Sequence, residues 1–184
     1  MPSNADAQAA LAGHLNDQAA FGPGATYLGI IELATASRAD GGNGNETFTA
    51  EVTLSVDTTS LPGGVLTLGL LNGAITNGSG FQSLDFRFAY GGNSEKHLFT
   101  SLAQARTFFG DNPIALGALP SDANYTLDFS LTLASTGGGD GFNGNLIVGV
   151  VPEPGELALS VLGGLVLLIA VQRTRRFGRA ERLG

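Results

Sequence analysis

Cysteine and tryptophan are absent from the 184 residues, lysine and methionine occur once each, and histidine occurs twice. Without cysteine there can be no disulfide scaffold and no thiolate-held zinc or iron–sulfur cluster. The two histidines, His14 and His97, are far apart in sequence and neither belongs to an H-E-x-x-H motif, so a histidine zinc site is not expected. Basic residues are also scarce, nine against 16 acids for a net charge of -7, which argues against an electrostatic nucleic-acid binder. No G-x-S-x-G elbow and no S-x-x-K motif marks a nucleophile. A triad through His97 or a carboxylate pair for sugar hydrolysis would have to be spatial, and no pair stands out. The missing tryptophan removes the usual sugar-stacking platform; Tyr27 and Tyr90 read as core or rim residues.

Glycine, by contrast, is abundant at 28 residues. That is roughly twice average usage and suits a loop-rich β protein. The chain up to 151 shows period-two alternation, the pattern of half-buried strands. Phe48, Ala50, Val52, Leu54 and Val56 alternate with Thr47, Thr49, Glu51, Thr53 and Ser55. Tyr125, Leu127, Phe129, Leu131 and Leu133 do so with Thr126, Asp128, Ser130 and Thr132, and Leu84, Phe86, Phe88 and Tyr90 form a third row. Weaker strands are expected at 26–36, 65–71 and 145–151, about six in all. Asn/Gly-rich turn clusters separate them. Strands of this spacing predict a mainly β fold, an antiparallel, jelly-roll-like β-sandwich over residues 25–150. One short helix is expected after Ser101, whose spacing to Gln104 reads as a capping box, with Leu98, Leu102, Ala105 and Phe109 on one face. Residues 1–24 are alanine-rich and are expected to form a loosely packed helical segment.

The charge is unevenly spread. Residues 1–151 carry 13 acids against four bases, a charge of -9; residues 152–184 carry three acids against five arginines, a charge of +2. This change of sign coincides with a change of texture. Pro152, Glu153 and Pro154 break the strand pattern. A charge-free run over 157–171 follows, with Leu157, Leu159, Val161, Leu162, Leu165, Val166, Leu167, Leu168, Ile169 and Val171 as its apolar residues. As a helix it would span roughly 22–26 Å, a little less than the roughly 30 Å hydrocarbon core of a bilayer. Arg173, Arg175 and Arg176 come next, a stop-transfer cluster that places this end in the cytoplasm and whose side chains can snorkel. A C-terminal transmembrane helix within 151–184 is therefore expected.

A Pro-Glu-Pro motif, one apolar span and a terminal arginine cluster, in that order, resemble the PEP-CTERM sorting signal of bacterial proteins. The resemblance implies processing by an exosortase, a membrane-embedded cysteine-protease-like enzyme. Pro152, Glu153 and Pro154 would be its recognition motif, the apolar run the transient anchor, and the arginines the orientation signal. A proline-stiffened extended peptide has little entropy to lose in a protease cleft. The segments SLAQARTFFGDNPIALG and GDGFNG also resemble, more loosely, the β-rich bodies that precede such tails, which are linked to exported matrix, biofilm or floc material. Proteins of this kind begin with a secretory leader, and the residues after Met1 lack that pattern, so the resemblance implies a start upstream of Met1.

Two loops have chemistry of their own. Gly139, Gly141 and Gly144 match G-x-G-x-x-G, but a strand and then proline follow where a dinucleotide site needs a helix, so a turn is expected. Asp40, Asn43 and Asn45, and separately Asp140, Asn143 and Asn145, make oxygen-rich loops that are candidate Ca²⁺ ligands, although turn chemistry accounts for them and no cofactor is required. The expected function is that of a non-catalytic, exported cell-surface or matrix protein, sorted at the inner membrane. Its body would lie in the periplasm or at the cell surface and its C-terminus in the cytoplasm before processing. The expected partners are the exosortase, the membrane and exopolysaccharide. A calcium- or glycan-binding extracellular module is the alternative, and an extracellular hydrolase a more distant one.

Overall fold

The computed structural model describes residues 1–38, 44–120 and 124–153. The chain divides into two compact units, Met1–Val151 and Pro152–Gly184, and of the second only Pro152 and Glu153 are among the described residues. In the first unit the chain runs through α1 (Asn4–Leu11), α2 (Leu15–Phe21), β1 (Thr26–Ala36), β2 (Glu46–Asp57), β3 (Val65–Thr76), β4 (Phe81–Tyr90), β5 (Asn93–Phe99), α3 (Leu102–Phe108), β6 (Asn112–Ala118), β7 (Asn124–Ser135) and β8 (Gly141–Val151). The strands form two antiparallel four-stranded sheets, ordered β1-β8-β3-β6 and β2-β7-β4-β5. The mainly β, sandwich-like expectation is met at this level.

The pairing is nested: β1 lies against β8, β2 against β7, β3 against β6 and β4 against β5. The innermost hairpin closes at Gly91 and Gly92, between the register partners Tyr90 and Asn93. Both glycines have positive φ (52° and 83°), as both central residues of a type I′ hairpin turn require. The remaining pairs, β8 with β3 and β7 with β4, close each sheet across the nest.

The alternating residues become cross-strand rows. Val52, Phe129 and Phe88 share one row of the second sheet; Ala50, Leu131 and Phe86 share the next. They meet Leu66, Leu68, Leu70, Leu146, Val148 and Val150 of the first sheet in one core. Area removed from water at about 25 cal/mol per Å² is the main force that holds the two sheets together. Phe109, at the end of α3, completes this core, with its ring centroid 4.9 Å from that of Phe86 and 5.0 Å from that of Phe142.

Eight strands are present among the described residues where six were expected. The two extra strands, β5 and β6, are sheet edges. Edge strands expose one side of their backbone, so they tolerate the charged run of β5 and Pro113 and Gly117 of β6, which mask a strand pattern. Leu98, expected on the helix face, belongs to β5 instead and is 58% exposed. Leu102, Ala105 and Phe109 are buried as the helical spacing required, and Ser101 Oγ accepts the Gln104 amide at 3.2 Å. Gln104 answers to Thr100 and not to Ser101, accepting from its backbone amide at 3.2 Å.

The N-terminal segment is also different from its expectation as one loose helix. α1 begins with a reciprocal Ser3–Asp6 capping box, and Gly13 at φ 89° separates it from α2. Ala7, Leu11 and Phe21 are buried with Ala25, Tyr27, Leu71 and Ile147 in a second apolar cluster. The helices therefore cover part of the outer face of the first sheet. This explains why β8 reads as a nearly continuous apolar run: Leu146, Val148 and Val150 face the main core while Ile147 faces the helices.

Candidate functional site

The residues proposed for sorting fall mostly outside the described residues. Pro154, the apolar residues Leu157, Leu159, Val161, Leu162, Leu165, Val166, Leu167, Leu168, Ile169 and Val171, and Arg173, Arg175 and Arg176 lie there. Pro152 is half-buried and Glu153 exposed, directly after β8. Among the described residues no helix is long and apolar enough to cross a membrane.

Asp40 and Asn43 also lie outside the described residues, and Asn45 is exposed just before β2. Asp140 is 2% exposed. One of its carboxylate oxygens accepts the Gly78 amide at 2.8 Å, and the other accepts the Ser135 hydroxyl at 2.9 Å. Its own amide donates to Ser37 Oγ at 2.9 Å, and its carbonyl accepts the Ser37 amide at 2.7 Å. Asp140 thus ties together the ends of β1 and β7, the β3–β4 turn and the start of β8. The side-chain amide of Asn143 donates to Glu32, and that of Asn145 donates to Asn72 Oδ1 at 2.7 Å. Each of the three thus has its own hydrogen-bond partners in a different part of the first unit. The glycines of the G-x-G-x-x-G match fall in this loop and in β8, so a strand and not a helix holds the place directly after the first of them.

His97, on β5, stacks against Phe88 and lies 4.3 Å, ring centroid to centroid, from Phe108. Its Nε2 is 3.7 Å from Glu95 Oε2. Its surroundings are aromatic, with a carboxylate at one side.

One cluster stands out that composition and motif did not reveal. His14 is the N-cap of α2, and its side chain makes no capping bond. The capping is done from a distance. Asp111, between α3 and β6, accepts the Asn16 amide at 3.0 Å and the Asp17 amide at 2.9 Å, one with each carboxylate oxygen. Its carbonyl accepts the Asn16 side-chain amide at 3.1 Å. This placement holds Asp111 at φ 58°, a left-handed conformation that Asp tolerates better than most residues.

Asp17 lies one helical turn after His14. It is 0% exposed, and neither of its carboxylate oxygens has a hydrogen-bond donor. Burial, then the charge of Asp111, then a hydrogen bond to Asp111 that only the protonated acid can donate, push its carboxyl up to about 7. Burial opposes ionisation of Asp111 too. The amides of Asp17 and Asn16, the hydrogen bond from Asp17 and the nearby His14 outweigh it and hold that carboxyl below its usual 3.8. One ligand atom from each of His14, Asp17 and Asp111 lies within 4.8 Å of the others. The spacing of His14 and Asp17 on one helix turn was visible in the sequence. Their third member is 94 residues beyond Asp17, and nothing local announces it.

No family model matches the chain, and no curated protein matches it.

Proposed function

We propose that the chain is an exported bacterial surface or matrix protein that performs no catalysis of its own and is sorted through a PEP-CTERM-like tail. In this reading residues 1–151 are a jelly-roll-like body on the outer side of the inner membrane. Residues 157–171 anchor it transiently, Arg173, Arg175 and Arg176 hold the C-terminus in the cytoplasm, and an exosortase recognises Pro152, Glu153 and Pro154. Matrix exopolysaccharide is the surrounding material. The nested pairing and interleaved strand order of the two sheets support the jelly-roll part of the reading.

The observation that carries the proposal is the abrupt end of the β unit beside the tail's composition. β8, the last strand among the described residues, is paired on both sides, by β1 up to Val150 and by β3 up to Val151. The next residues are Pro152-Glu153-Pro154, the apolar run and the arginines. A chain whose β8 is already paired on both sides can be cut after Val151 without removing a strand from the body. The test expresses the full chain and residues 1–151 behind a secretory leader in a host with an exosortase. The full chain is expected in the membrane fraction and then processed, and the shortened chain in the soluble exported fraction. Replacing Pro152 and Pro154 with alanine is expected to stop processing while leaving membrane association. Identical fractionation of the two chains would sink the proposal.

A further inference from the structure

We propose that His14, Asp17 and Asp111 bind one divalent cation of the zinc class, which staples α2 to the β body. Two independent observations meet here. Three ligand-bearing side chains, two from the start of α2 and one from the segment between α3 and β6, bring one ligand atom each to within 4.8 Å of the others. And the most enclosed of them, Asp17, is fully buried with no donor for either oxygen. A buried carboxylate without a donor is costly, and without a cation Asp17 meets that cost by sharing a proton with Asp111, another acid. A divalent cation compensates both charges at once. Asp111 remains available to it, because each of its oxygens uses one lone pair on a helix amide and has another free.

The donor set selects the ion. One imidazole and two carboxylates suit zinc or manganese; calcium and magnesium prefer oxygen alone. Zinc takes nitrogen and carboxylate oxygen at about 2.0–2.2 Å in a tetrahedron, which sets ligand atoms about 3.4 Å apart, so the most distant pair has to close by up to about 1.4 Å through side-chain rotation. Three protein ligands leave a fourth position for water. The place of the cluster says what the ion would do. His14 and Asp17 stand at the start of α2, while Asp111 immediately precedes β6, so one ion fastens the helix that carries Phe21 to the edge strand of the first sheet.

The test uses the full chain in detergent, without a histidine tag, after chelator treatment. Calorimetry and thermal melts are run with Zn²⁺, Mn²⁺, Ca²⁺ and Mg²⁺. One equivalent of Zn²⁺ is expected to bind and to raise Tm increasingly with concentration, with Mn²⁺ weaker and Ca²⁺ and Mg²⁺ without effect. His14→Ala and Asp17→Asn are each expected to weaken Zn²⁺ binding at least tenfold, and His97→Ala to leave it unchanged. Asp17→Asn keeps the side-chain volume and can donate to Asp111, so it tests the site in a folded protein, checked by circular dichroism. Absence of Zn²⁺ binding by the parent chain overturns the proposal and makes the cluster a proton-sharing pair. Zn²⁺ binding unchanged in both His14→Ala and Asp17→Asn overturns it as well.

Discussion

Replacing Asp140 with alanine removes the carboxylate that joins three parts of the sandwich while leaving the backbone bonds to Ser37 in place. Two hydrogen bonds are lost, the Gly78 amide at 2.8 Å and the Ser135 hydroxyl at 2.9 Å. A hydrogen bond to a charged acceptor contributes roughly 1.5–3 kcal/mol. The two losses are unequal. Ser135 Oγ has a second acceptor, the Gly137 carbonyl at 2.8 Å, so its hydroxyl stays paired. The Gly78 amide has no such substitute in the turn. The expected cost is therefore about 3 kcal/mol, nearer one full bond and part of another than the sum of two. For a domain of this size that lowers Tm by roughly 6–12 °C. Asp140→Asn keeps one acceptor oxygen and should cost about half as much. Chemical denaturation of residues 1–151, with the slope checked for constancy, gives the free energy. The same melts in millimolar Ca²⁺ separate a structural knot from a calcium ligand. A cost below about 1 kcal/mol refutes the reasoning, and so does a Ca²⁺-induced rise in Tm that Asp140→Ala abolishes.

Three further outcomes are expected. Phe21→Ala empties the contact between α2 and the first sheet, where Phe21 is 1% exposed, and should cost about 3–5 kcal/mol or release the N-terminal helices to rapid amide exchange, read by hydrogen-exchange mass spectrometry. Gly69→Ala would place a Cβ 2.8 Å from Ile147 Cγ2 and 3.0 Å from Phe21 Cε2, and should destabilise by about 1–3 kcal/mol in denaturant melts. Asp85 accepts from Arg87 at 2.6 Å, and that bond, with help from Lys96, holds its carboxyl below the usual 3.8 despite partial burial. A lowered native value means the pair stabilises the fold above about pH 4, and that this stability is lost as pH falls through the native value. With Arg87 more than half exposed, solvent screens the pair and its contribution to stability is small, so the sensitive measurement is an NMR titration. Arg87→Ala should move the Asp85 midpoint upward there.

The linear order of residues was enough for the class of fold, because strand alternation is a local property. Thr47 to Val56 and Tyr125 to Leu133 had to present one polar and one apolar face wherever they ended up, and β2 and β7 do so as direct neighbours. It was enough, too, for the capping of α3 by Ser101 and for the contrast between an acidic body and an arginine-rich tail. Of the four edge strands, β1 and β2 kept a readable pattern and β5 and β6 did not, because an edge needs neither two apolar faces nor a full set of amide donors, and β5 and β6 use that freedom. The alanine-rich N-terminus reads as weak in isolation, since Ala7 is too small to drive packing. It is anchored because Ile147, Leu71 and Tyr27 present an apolar outer face that only assembly of the first sheet creates. Asp140 read only as one residue of an oxygen-rich loop; the Gly78 amide and Ser135 hydroxyl that meet its carboxylate come from parts of the chain that only the fold brings to it. Asp17 and Asp111 were two unremarkable acids in the sequence. Chain topology, which places residues with no sequence relation side by side, turned one into a helix cap and left the other buried without a donor.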